Sequence, residues 1–157
     1  MDGVIAPDDP RADDVSALLA AHHAFANANT PPEHIHALDV SGLLDPAISF
    51  FTFRVDGEAL AIGALKRLDA DHAELKSMHT AAAARGRGIG RAMVEHLVGV
   101  ARAAGFRRVS LETGTSPAFE PAHALYASAG FVPCEPFAGY SPSPSNTFMT
   151  LSLTDVP

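Results

Sequence analysis

The sequence predicts an α+β domain: one central twisted sheet, mixed but mostly antiparallel, flanked by helices. Three observations carry this. Residues 48–80 hold three strand-like runs joined by short turns, the first of them rich in β-branched and aromatic residues. A helical apolar stripe at 89–101 lies between two strand patterns, and such a crossover joins parallel strands. At 157 residues, 47% of them hydrophobic, the chain is the size of one domain, expected over 1–157.

The elements follow in order. Residues 2–6 read as a first strand, ended by the turn at Asp8, Asp9 and Pro10. From Asp13 to about Asn27, Val15, Leu18, Leu19, His22 and Phe25 fall at helical spacing. Thr30-Pro31-Pro32-Glu33 places a capping residue before first-turn prolines, which predicts a short second helix to about Leu38. Residues 41–46 read as loop. Ile48 to Val55 is strand-like, and Asp56-Gly57 signals a hairpin, so 59–68 returns as the next strand. Asp69-Ala70-Asp71 turns again, and His72 to Thr80 completes a meander. Ile89, Met93, Leu97, Val100 and Ala101 form one helical face, with Gly105 as its C-terminal stop. Arg108, Ser110 and Glu112 alternate with Val109, Leu111 and Thr113, predicting a half-buried strand. Residues 121–129 read as helix ended by Gly130. Residues 131–134 and 147–153 read as the last two strands, around a Pro/Ser loop at 139–146. The expected order is β-α-α-β-β-β-α-β-α-β-β.

Composition narrows the function. The net charge is −7, from 11 Lys and Arg against 18 Asp and Glu. Nucleic-acid phosphates need clustered basic residues, so no nucleic-acid partner is expected. No apolar run reaches the ~18 residues of a membrane span. The acidic start MDGVIAPDDPRADD lacks the apolar stretch of a signal peptide. A cytoplasmic protein without a membrane partner is the expectation. The single cysteine, Cys134, leaves no internal disulfide and reads as a packed thiol. Of eight histidines, the adjacent His22 and His23 diverge on a helix, and His34 and His36 share a face only on a strand. No metal is expected.

The most informative segment is Arg85-Gly86-Arg87-Gly88-Ile89-Gly90-Arg91, between a strand and an amphipathic helix. Glycines let the backbone turn tightly and approach a ligand. The first N–H groups of a helix lack intrahelical partners and, with the helix dipole, favour an anion. The alternative is a glycine-rich turn with solvated arginines. No G-K-S/T ending and no G-x-G-x-x-G spacing is present, so NTP and dinucleotide readings lose support.

Arg85-x-x-Gly88-x-Gly90 resembles the acetyl-CoA pyrophosphate motif of the GCN5-related N-acetyltransferase (GNAT) superfamily. Ala122-His-Ala-Leu-Tyr-Ala-Ser-Ala-Gly-Phe131 resembles its A-x-x-L-Y-x-x-x-G-F segment, at the matching separation. Glu74-Leu-Lys-Ser-Met-His-Thr80, Leu111-Glu-Thr-Gly114 and Phe137-Ala-Gly-Tyr140 are similar to a bacterial YsnE-like branch. Members of that branch commonly have arginine where this chain has His79. The resemblance implies the GNAT acyl-CoA N-acyltransferase fold, with strands 74–80 and 107–113 splayed around acetyl-CoA as co-substrate. Met78, His79 and Thr80 would meet the pantetheine; Arg85 would open the motif, and Gly86, Arg87, Gly88, Ile89, Gly90 and Arg91 would cradle the pyrophosphate. Phe119 stands where many members have an asparagine that bonds the cofactor.

The implied chemistry is attack of a neutral amine on the thioester. Tyr126 occupies the superfamily's phenol position and is the expected general acid. Glu74 is the first expectation for the base and Glu112 the second, each with the alternative of an ordinary strand carboxylate. Glu33, His34, His36, Tyr140 and Asn146 are candidates for the acceptor pocket. The acceptor is expected to be a small-molecule primary amine. The competing readings are a non-catalytic acyl-CoA-binding module and an enzyme acting on protein amines. A homodimer is the weaker expectation that the superfamily supplies.

Overall fold

The computed structural model describes residues 3–154. Asp2, expected in the first strand, and the remaining ends of the expected 1–157 domain lie outside them. The order of strands and helices is the expected one. Strand β1 (Val4–Pro7) precedes helices α1 (Asp13–Asn29) and α2 (Val40–Leu43). The meander is β2 (Ile48–Val55), β3 (Glu58–Arg67) and β4 (His72–Thr80). Helix α3 (Ile89–Ala103) and β5 (Arg108–Gly114) follow, then α4 (Glu120–Ser128), β6 (Val132–Pro133) and β7 (Asn146–Ser152). The sheet runs β1-β2-β3-β4-β5-β7-β6, and only β4 and β5 are parallel neighbours.

The second helix is displaced from its expected place. Pro32–His34 forms only a 3-10 turn. Its first-turn proline suits a helix start, but Ile35 turns extended and nothing propagates. Helix α2 forms instead where loop was expected, because Asp39 Oδ1 accepts from the Gly42 N–H at 2.8 Å and caps it. The Asp56-Gly57 hairpin forms as expected, both residues having positive φ (50° and 82°).

Both faces of the sheet are covered. On one, Met93, Val94 and Leu97 of α3 pack with Leu65, Leu75, Val109 and Leu111. On the other, Val15, Leu18 and Leu19 of α1 pack on Phe50, Ile62 and Ala64. Burying a side chain such as Leu97 or Ile62 contributes about 1.5–3 kcal/mol. This double cover corrects the half-buried reading of β5: Ser110 is fully buried, bonded to His72 Nε2 at 2.6 Å and Thr150 Oγ1 at 2.8 Å.

Two irregularities shape the site. β4 and β5 pair only through His72–Glu74 against Arg108–Ser110, and the strands then part. Opposite β3, the register slips between Ile62 and Ala64, giving β4 one extra residue. Ser77 takes up that residue with φ 57°, a left-handed conformation that a serine holds only under tertiary support. Gly63 faces the bulge. A Cβ there would come within 2.8 Å of Met93 Cγ and 2.9 Å of Met78 Sδ, so only glycine lets α3 approach this closely.

Candidate active site

A cleft of about 540 Å³ opens where β4 and β5 part. At one end stands the glycine turn. Gly86 and Gly88 have φ of 80° and 78°, and Gly88 is the N-cap of α3 with no side chain capping the helix. The turn needs two left-handed residues in three, which glycine adopts without penalty. Helix α3 therefore directs uncapped N–H groups at the cleft, with the positive end of its dipole behind them. Gly90 lies against Leu125, whose Cδ2 a Cβ would meet at 3.3 Å.

The flanking arginines differ in placement. Arg85 donates from Nε to the Thr80 carbonyl at 3.2 Å, and Arg91 donates from Nη1 to Ser128 Oγ at 2.9 Å. Both line the cleft, whereas Arg87 does not; it is exposed and donates to the Ala83 carbonyl at 3.3 Å. Its side chain, expected in the cradle, is thus placed outside the cleft lining. A glycine on either side turns the chain so that this residue faces outward.

Met78, His79 and Thr80 line the middle of the cleft, beyond the bulge that re-aims them. His79 meets His22 of α1 edge-on, with ring centroids 5.5 Å apart. Burial, with His79, His23 and Lys76 nearby, pulls the His22 imidazole down to about 4. Burial and Arg85 also lower His79. Both rings are thus neutral at neutral pH, and the cleft lacks a cation where the resembling branch has arginine. His22 was assigned no role from sequence; its helical spacing with Leu18, Leu19 and Phe25 pointed only to packing.

Tyr126 is buried, lines the cleft, and packs edge-on to Phe131 at 5.8 Å. No described residue hydrogen-bonds its hydroxyl, and burial pushes the phenol up from its ordinary value. Phe119 forms an apolar wall, edge-on to Phe25 at 5.2 Å, with its ring over Gly114.

The far end is polar. Glu74, the first expectation for the base, is 1% exposed. Its Oε2 accepts from Lys76 Nζ at 3.2 Å and from the Tyr140 hydroxyl at 2.9 Å, and Lys76 also donates to Tyr140 at 2.9 Å. Burial and Glu74 raise the Tyr140 phenol, which keeps its proton. Tyr140 lies behind the cleft wall and reaches the site through Glu74 and His36. Glu112 faces the cleft, paired with His36. Asn146 lines it too, and its Nδ2 donates to the His34 carbonyl at 3.1 Å. Buried atoms without a partner gather here: Glu74 Oε1, Ser77 Oγ, His34 Nδ1 and Asn146 Oδ1. Glu33, expected in the acceptor pocket, is exposed on the 3-10 turn and does not line the cleft. Without the predicted helix nothing turns it inward.

Elsewhere, burial raises the Cys134 thiol, as suits a packed rather than reactive group. Among the described residues no group of three or more His, Cys, Asp or Glu is placed to hold a metal, and no helix is long and apolar enough to cross a membrane.

Comparison with known proteins places this geometry. The chain is 41% identical over 146 residues to the uncharacterized N-acetyltransferase YsnE of Bacillus subtilis, covering 93% of this chain and 97% of that one. It is 44% identical over 142 residues to the uncharacterized N-acetyltransferase YedL of Escherichia coli, covering 90% and 89%. A protein named IAA acetyltransferase from Azospirillum brasilense is 35% identical over 150 residues, covering 95% and 97%. Among solved structures, a Klebsiella pneumoniae protein assigned as an acyl-CoA N-acyltransferase superposes with a TM-score of 0.82 at 28% identity, covering 96% and 97%. A GNAT family acetyltransferase from Elizabethkingia anophelis, solved with acetyl-CoA bound, shares the fold with a TM-score of 0.70 at 15% identity, covering 96% and 97%. The model of the acetyltransferase (GNAT) family matches residues 16–131, and the chain belongs to that family as an N-acetyltransferase.

Proposed function

We propose that this N-acetyltransferase takes acetyl-CoA as donor and the primary amine of a small molecule as acceptor. The observation that carries the reading is the uncapped N-terminus of α3. With Gly86 and Gly88 it opens on the cleft that Tyr126 also lines. Backbone N–H groups and the helix dipole suit a pyrophosphate. Arg85 and Arg91 add positive charge in a chain of net charge −7. Met78, His79 and Thr80 continue the path as pantetheine contacts.

Acetyl-CoA supplies the activated acetyl group. The nitrogen of the amine forms a bond to the thioester carbon as the C–S bond breaks. Tyr126 is the general acid: with its phenol raised by burial, it holds its proton and donates a hydrogen bond to the departing sulfur. The small-molecule acceptor is supported by the tie across the far end from Asn146 to the His34 carbonyl, which narrows the groove a peptide would need. Glu74 and Glu112 suit a cationic amine.

The test is calorimetric titration with acetyl-CoA and desulfo-CoA, with ATP as control, then CoA-thiol release with a panel of tyramine, spermidine and glucosamine. One-to-one binding of both CoA ligands without ATP is expected, with turnover of at least one amine. Tyr126→Phe is expected to lower kcat about 100-fold with acetyl-CoA affinity unchanged. Equal turnover in the variant removes the acid role, and absence of CoA binding removes the site.

A further inference from the structure

The attacking amine must lose a proton; Glu74 is 1% exposed and tied through Oε2 to Lys76 and Tyr140, which leaves Oε1 as its one unpartnered oxygen, whereas His36 presents a ring nitrogen on a more open part of the cleft. We propose that His36 is the general base and that Glu112 is the positioning residue that holds its imidazole. This rests on the N-acetyltransferase reading of the same cleft.

His36 Nδ1 lies 2.7 Å and 2.6 Å from the two Glu112 oxygens. With Nδ1–H donating to the carboxylate, the unprotonated nitrogen is Nε2, which no described residue hydrogen-bonds. The ring lines the cleft and is about one-third exposed, while the Glu112 side chain is 9% exposed. The ring also stacks on Tyr140, with centroids 4.8 Å apart and planes at 31°. Tyr140 is itself fixed by Glu74 and Lys76. An imidazole that would otherwise sit on an irregular segment is thus held from β5 on one edge and from the 139–146 loop on one face. A base oriented by a third group is the general arrangement of proton-transfer sites.

Charged and titratable groups face His36 from each element packed against it. Glu112 comes from β5, Glu74 and Lys76 from β4, the Tyr140 phenol from the loop, and His34 from its own segment. The Lys76 ammonium is bonded to Glu74 and Tyr140. Burial pushes the Glu112 carboxyl up, so a proton arriving on the adjacent ring offsets the cost of its desolvated charge. In the step, the N–C bond forms, the nitrogen gives its proton to His36 Nε2, and the C–S bond breaks with its electron pair leaving on sulfur.

Two measurements test this. In protein labelled with ¹⁵N-histidine, the neutral His36 ring should carry its proton on Nδ1, and Glu112→Gln should weaken that preference for the Nδ1–H tautomer. In acetyl transfer to the tyramine, spermidine and glucosamine panel, His36→Gln should lower kcat/KM about 100-fold, with acetyl-CoA affinity unchanged. The limb of the pH profile that reports the base should vanish while the limb set by the amine remains. Glu112→Gln should shift that limb with a smaller loss, and added imidazole should restore turnover to His36→Ala. A His36→Gln enzyme that keeps the wild-type rate and limb overturns the base role. A proton on Nε2 of the neutral ring overturns the geometry. A wild-type enzyme that binds acetyl-CoA but acetylates none of the amines overturns instead the small-molecule reading on which the role rests.

Discussion

Arg54 carries an arrangement that hydrophobic patterning cannot announce. It sits on β2, yet its guanidinium joins Asp8 after β1 and Asp14 at the start of α1, at 2.8 Å and 2.6 Å. Burial raises the Asp8 carboxyl, but hydrogen bonds from Thr52 and Arg54 outweigh it, and the net shift is downward. The Arg54 hydrogen bond also lowers Asp14. Groups with lowered folded-state pKa stabilise above their unfolded value near 3.9 and lose that contribution as pH falls through the lower folded value. Arg54→Gln should therefore cost about 1–2 kcal/mol at pH 7, discounted because these groups are partly solvated. The gap from wild type should close below about pH 4. Denaturant melts at pH 7 and pH 3 read both; an equal gap at both values would exclude the ion pairs as its source. The same limit on legibility applies to the site. The type and position of Glu74, Glu112, His36 and Tyr140 were visible in the sequence. Their pairing was not, because partners 66 and 76 residues apart meet only through the tertiary fold.

At the scale of elements, legibility followed periodicity. The meander, the α3 stripe and the hairpin each repeat a local signal, and each forms where that signal lies. The second helix failed because two prolines mark a start without providing turns to follow it, whereas the capping Asp39 carries α2 on four residues. The β4 bulge was also invisible: an extra residue breaks alternation by one position in Glu74-Leu-Lys-Ser-Met-His-Thr80, and only the facing Gly63 hinted at a close approach. The glycine turn was legible because a left-handed backbone demands glycine. Gly88→Ala tests that demand. No atom lies within 4 Å of the added Cβ, so its cost comes from φ of 78° and should be about 1–2 kcal/mol. If the N–H groups of α3 bind the pyrophosphate, acetyl-CoA affinity should fall at least tenfold in calorimetry, with Tyr126 untouched. Gly99→Ala, in the same helix with open space around it, should leave that affinity unchanged.

Across the whole molecule, stability and binding are unevenly distributed. The β1–β2–β3 side is closed by paired strands and α1, whereas the sheet is interrupted where β4 and β5 share only three register pairs. The strands past that point leave a cleft, with orphaned polar atoms at Glu74, Ser77, His34 and Asn146. Unpaired buried polar groups and missing strand pairing lower local stability, so this half should open at lower free energy than the other. A ligand bridging the gap binds only the folded state. At 100 times its dissociation constant it adds about 2.7 kcal/mol, which for a chain of this size raises the melting temperature by about 5–10 °C. Hydrogen exchange should then slow in Lys76–Arg91 and Leu111–Tyr126 on adding acetyl-CoA and remain unchanged in β1 and β2. Uniform protection would mean that ligand and fold are coupled globally and that the cleft is no weaker than its surroundings. Protection confined to the far end would move the cofactor away from the glycine turn. The predicted split follows from one topological fact, a single parallel pairing that stops three residues after it begins.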